Sequence, residues 1–125
     1  MDVQMNPVNW FEIPVNDLEK AKRFYQAVFG VELSVSQMGP SKMAWFPMKQ
    51  GAPGAAGTLI SSQGYTPSHA GTLVYFHVGD IEATLAKINV NGGRTLMPKT
   101  GIGEHGFIAH FQDCEGNRVA VHSMR

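Results

Sequence analysis

With 125 residues, 43% of them hydrophobic and 16% charged, the chain can bury one compact core and is too short for several. Ten basic and ten acidic residues cancel with no run of like charge, so nothing marks nucleic acid or an anionic membrane as a partner. A lone cysteine, Cys114, excludes an internal disulfide, and with no signal-type leader or apolar run near the roughly 20 residues of a membrane span, a cytoplasmic protein is expected.

Alternation from Val8 to Val15 predicts a strand with Phe11, Ile13 and Val15 on one face. Asn16 and Asp17 are both good N-cap residues, and Glu19 stands where a capping box on Asn16 would need it. Leu18, Ala21, Phe24, Tyr25 and Val28 then recur at helical spacing up to Gly30, which suits a left-handed helix end. Strands near Val31 to Gln37, Ser41 to Met48 and Ala55 to Ser61, divided by Gly39-Pro40 and the Gly51 to Gly54 loop, complete a βαβββ unit. A polar connector follows from Ser62 to Gly71.

The same grammar returns. Thr72 to Val78 reads as a strand, Asp80 opens a helix carrying Ile81, Leu85 and Ile88, and Asn91-Gly92-Gly93 ends it. Strands near Arg94 to Pro98, Phe107 to Gln112 and Arg118 to Ser123 follow, the last two joined by the turn Asp113-Cys114-Glu115-Gly116-Asn117. Val15, Asp17, Glu19, Gly30 and Leu33 recur 63 positions later as Val78, Asp80, Glu82, Gly93 and Leu96. The expected fold class is α+β: one domain over residues 1–125, built of paired βαβββ modules at about 7–62 and 72–124 packed as one body. A single irregular sandwich without duplication is the alternative.

Strand alternation separates a core face from a second face. Phe11, Ile13, Val15, Val74, Phe76, Val78, Val119 and Val121 suit helix cover. The opposite face carries Trp10, Glu12 and Pro14, then Leu73, Tyr75 and His77, then Arg118, Ala120 and His122. Rings mixed with ionisable groups are the usual lining of a ligand pocket, and a dimer interface with Glu12 and Arg118 paired is the plainer alternative.

The run Phe11-Glu12-Ile13-Pro14-Val15-Asn16-Asp17-Leu18-Glu19-Lys20-Ala21, then Phe24-Tyr25, Val78-Gly79-Asp80-Ile81-Glu82 and the closing Asp113 to Asn117 turn resembles the vicinal oxygen chelate superfamily, which includes glyoxalases, extradiol dioxygenases and bleomycin resistance proteins. Cys114 stands where that family usually has proline. The resemblance implies paired βαβββ units forming a cup, with metal ligands on the first and last strand of each unit. Carried over with the 63-residue repeat, those positions are Trp10, Leu73, Gly57 and Ala120. None can ligate a divalent ion, which needs imidazole or carboxylate at about 2.0–2.2 Å. No metal or other cofactor is therefore expected. A displaced divalent metal on Glu12, His77 and His122 is a minor alternative.

Without a metal, Glu12 and His77 are the candidate acid-base pair, abstracting a proton next to a carbonyl that Tyr75 or His122 polarises, with burial beside Trp10 and Leu73 raising the Glu12 pKa. Trp10, Leu73, Tyr75, His110, Arg118, Ala120 and His122 are the candidate ligand-binding residues. The glycine-rich Lys99 to Gly106 segment reads as a mobile cover and lacks phosphate-loop spacing. His105 and His69 read as solvated. Met38, Met43 and Met48 with Trp45 and Phe46 suggest an adaptable apolar wall, or ordinary core.

Two functions fit: a metal-independent lyase or isomerase acting on a small carbonyl compound, or a non-catalytic protein sequestering an aromatic metabolite or drug. A cup serving only dimerisation is a third. The expected partners are a small molecule and a second copy of the chain, with no nucleic acid and no membrane.

Overall fold

A computed structural model describes residues 4–125. The first module comprises β1 (Trp10–Pro14), α1 (Leu18–Phe29), β2 (Ser34–Met38), β3 (Ser41–Trp45) and β4 (Ala56–Ser61). The second comprises β5 (Tyr75–His77), α2 (Ile81–Val90), β6 (Arg94–Gly101), β7 (Phe107–Gln112) and β8 (Arg118–Ser123). Two four-stranded mixed sheets result, ordered β1-β4-β3-β2 and β5-β8-β7-β6, with β1 parallel to β4 and β5 parallel to β8. The α+β class and the doubled βαβββ order follow the sequence reading. Among the described residues no helix is long and apolar enough to cross a membrane.

Each helix begins at an aspartate. Asp17 caps α1 by accepting from Lys20 N at 3.1 Å, and Asp80 caps α2 by accepting from Ala83 N at 3.0 Å. Asp17, rather than Asn16, is the cap, and the expected capping box does not form. Gly30 ends α1 at φ 65°, where a side chain would meet its own carbonyl.

The apolar stripe of α1 and the inward faces of both sheets share one core. Tyr25 lies between Phe46 and Phe76, at ring distances of 5.6 and 6.1 Å. Phe24 of α1 reaches Phe111 of β7 at 6.4 Å, and Phe11 of β1 meets Phe76 of β5 edge-on at 5.5 Å. Each buried ring contributes roughly 1.5–3 kcal/mol through the area it removes from water. The modules are thus welded through their helix-covered faces, and the other face of each sheet looks outward.

Several expected boundaries move. β5 shrinks to three residues, leaving Leu73 in the irregular segment before it. β6 runs on through Lys99, Thr100 and Gly101, so the first three residues of the expected mobile cover are sheet, and Gly103–His105 forms a short 3-10 turn. Met43 and Phe46 are buried while Met38 and Met48 are exposed, so only part of the expected methionine wall exists.

The repeat also slips. Val15 N donates to Ile60 O in the first module, and Val78 N donates to His122 O in the second. The first strands are therefore 63 residues apart and the last strands 62. The counterpart of Ala120 is Thr58, which pairs with Glu12 as Ala120 pairs with Tyr75. Gly57 lies on the helix side, where a Cβ would stand 2.3 Å from the Phe11 carbonyl oxygen.

Candidate functional site

The outward face of the first sheet carries Trp10 and Glu12 on β1, Met43 and Trp45 on β3 and Thr58 on β4. The Trp10 and Trp45 rings meet edge-on at 5.0 Å, and Trp45 Nε1 donates to Ser36 Oγ at 2.7 Å, which holds the second indole. Thr58 has no exposed surface, and its hydroxyl has no partner among the described residues. The sequence reading missed it because it rested on the repeat without the one-residue slip. Glu12 is exposed, so the chain alone does not supply the burial expected to tune it.

The outward face of the second sheet is a network of rings. Arg118 Nε donates to His110 Nδ1 at 3.1 Å, and His110 Nε2 lies 3.2 Å from the Tyr75 hydroxyl. Burial, then the adjacent Arg118 charge, lowers the His110 pKa from its ordinary value, so the ring stays neutral near pH 7. A neutral imidazole has one N–H. With Nδ1 accepting from Arg118, that proton sits on Nε2 and is donated to the Tyr75 oxygen. The Tyr75 phenolic proton is then free to donate outward, and Tyr75 is 46% exposed.

His122 is fixed in a comparable way. Its Nε2 lies 2.6 Å from the His105 carbonyl oxygen, an acceptor only, so neutral His122 carries its proton there and turns a lone pair on Nδ1 to its other side. The His77 ring lies 6.5 Å from that of His122. Tyr75, His77 and His122 line one pocket of about 440 Å³ with Ile102, His105 and Ile108. A proton donor and a proton acceptor thus face the same space. His105 takes part through its backbone carbonyl, while its side chain is solvated as expected. His69, also exposed, bonds Gln112 Oε1 at 2.8 Å.

The site residues named from sequence fall into two groups. Tyr75, His77, His110, Arg118, Ala120 and His122 share the outward face of the second sheet. Trp10 and Glu12 belong to the first. Glu12 shares a smaller pocket, about 220 Å³, with Arg118 and the connector, and does not line the pocket of His77 and His122. Leu73, half-buried, precedes β5.

The donor set within one chain does not fit a divalent ion. At the corrected positions Trp10, Leu73 and Ala120 offer no suitable atom and Thr58 offers one neutral hydroxyl. Among the described residues no three His, Cys, Asp or Glu side chains converge on one point, so Glu12, His77 and His122 do not form a displaced metal site in the single chain.

The sequence pattern of the Glyoxalase/Bleomycin resistance protein/Dioxygenase superfamily matches residues 8–121. A glyoxylase-like domain-containing protein from Didymella fabae is 29% identical over 123 residues, covering 91% of each chain. Among solved structures, a glyoxylase/bleomycin resistance protein/dioxygenase domain from Frankia sp. EAN1pec superposes with a TM-score of 0.74 at 15% identity, over 97% of this chain and 99% of that one. TnmS3, an antibiotic binding protein from Streptomyces sp. CB03234, gives 0.71 at 23% identity, over 98% of both.

Proposed function

The chain belongs to the glyoxalase/bleomycin resistance protein/dioxygenase superfamily, and on that premise we propose that it is a metal-independent lyase or isomerase acting on a small carbonyl compound. The observation that carries this reading is the pair of fixed tautomers on the second sheet. Tyr75, its oxygen engaged by His110, donates its proton to the substrate carbonyl and stabilises the oxyanion as it forms. His77 removes the proton next to that carbonyl, and the His122 Nδ1 lone pair faces the same pocket as a second proton acceptor. Glu12 joins as the second acid-base group from the first sheet of another copy. In the proposed homodimer the Trp10/Glu12 face of one chain covers the Tyr75/His77 face of its partner, excluding water from both. The proposal keeps the protein in the cytoplasm and requires no cofactor.

The Trp10–Trp45 platform favours a second reading, sequestration of a planar compound without turnover, as the antibiotic binding protein of like fold suggests. One experiment separates them. The protein is incubated in deuterated buffer with a panel of small aldehydes and ketones, and deuterium next to the carbonyl is followed by NMR. The enzyme incorporates deuterium catalytically, and Tyr75→Phe and His77→Ala each slow this by roughly tenfold or more. A compound that quenches tryptophan fluorescence yet is recovered unlabelled supports sequestration. Exchange unaltered in both His77→Ala and Glu12→Gln removes the acid-base assignment.

A further inference from the structure

A cavity of about 550 Å³ lies between the end of α1 and the start of α2, and its lining shares only His77 with the pocket on the outward face of the second sheet. Its walls include Phe11, Phe29, Phe46 and Phe76, with Lys87 also lining it. A pocket of this size with apolar walls and few polar groups has the dimensions of a small-molecule site.

The internal repeat supplies a precedent for what such a place holds. In the first module the turn from β1 into α1 presents the amides of Asn16 and Asp17. The Glu115 carboxylate, arriving from the β7–β8 turn, accepts from both, at 2.9 Å from Asp17 N, with Lys20 Nζ 2.8 Å away. The counterparts 63 residues on are Gly79 and Asp80, both lining the cavity. Asp80 caps its helix as Asp17 does, so the two turns present their amides alike. The amides of Gly79 and Asp80 find no acceptor among the described residues, and nothing lies within 4 Å of where a Gly79 Cβ would begin. The β3–β4 loop, counterpart of the β7–β8 turn, contains no acidic residue and lines the cavity with Phe46, Pro47 and Ala55. Ala83 replaces Lys20, and a lysine returns one turn later as Lys87 on the same side of α2.

We infer that this cavity binds a small organic carboxylate with an apolar, aromatic body, the carboxylate accepting from the Gly79 and Asp80 amides where the first module uses Glu115. Lys87 supplies the counter-charge, and the phenylalanines receive the body. The cavity shares His77 with the pocket of Tyr75 and His122 but neither of those two residues, and binding there does not depend on the chemistry of that face.

Amide-resolved NMR titration of the full chain with phenylacetate, and with uncharged phenylacetamide as comparison, tests it. Phenylacetate is expected to move the Gly79 and Asp80 amide protons downfield and to bind roughly tenfold or more tighter than the amide. Lys87→Met should weaken it several-fold, and Ala83→Leu, which fills the cavity from α2, should abolish it. Tyr75→Phe should leave the affinity as it is. Equal affinity for acid and amide, shifts confined to the Tyr75 face, or binding unaltered in both Lys87→Met and Ala83→Leu would overturn the assignment.

Discussion

The two turns leading from strand into helix begin with the same grammar and end as opposites. At the first, Asp113 accepts from the Tyr25 hydroxyl at 2.7 Å and from the amides of Glu115 and Asn117, while Asn117 Nδ2 donates to Pro14 O at 2.7 Å. Glu115 and Lys20 close the contact. At the second there is a void walled by phenylalanines. A duplicated scaffold fixes where amides point; one acidic residue in a tight turn, against a longer loop without one, determines whether the protein itself fills the space. The polar junction is therefore expected to contribute stability, and the open one room.

The largest expected effect comes from breaking the polar junction at its centre. Asp113→Ala removes a carboxylate with no exposed surface and strands the Tyr25 hydroxyl, which should cost about 3–5 kcal/mol in urea unfolding. A loss below about 1 kcal/mol would mean that the junction is ornament. Burial opposes ionisation of Glu115, but Lys20 and the two backbone amides outweigh it and hold its pKa below the ordinary 4.5. Because the folded pKa is depressed, the stabilisation is complete above the ordinary value and drains away as pH falls through the folded one. Glu115→Gln should therefore cost about 1.5–3 kcal/mol at neutral pH, with the gap to the parent closing on acidification. A gap independent of pH would assign the loss to packing. The smallest effect belongs to the open junction: Gly79→Ala, with free space at its Cβ, should change stability by no more than about 1 kcal/mol, in the stabilising direction. A marked loss there would show that the second turn is tighter than its empty surroundings imply.

Much of this was legible because it rests on residues that announce a conformation. Asp17, Asp80 and Gly30 mark helix ends by local chemistry alone, and strand alternation sorted Phe11 from Glu12 and Phe76 from Tyr75. What was lost depended on register. Thr58 was hidden by a one-residue slip between otherwise parallel repeats, and the roles of His110 and His122 follow from partners on neighbouring strands that no linear pattern pairs. The cavity was the least legible feature of all. It is made by side chains that are missing or small, at Gly79, Ala83 and Ala55, and a sequence advertises what is present far better than what is withheld.

Cys114 sits in the same β7–β8 turn, its sulfur 3.9 Å from the Lys20 carbonyl oxygen, with burial and the adjacent Asp113 and Glu115 pushing its pKa up to about 12. While the turn stays docked there is almost no thiolate to react with an alkylating reagent. Undocking restores an ordinary thiol, more acidic by orders of magnitude. The chain thus carries its own clock for breathing at this junction: the rate at which Cys114 is labelled counts local openings without waiting for the domain to unfold.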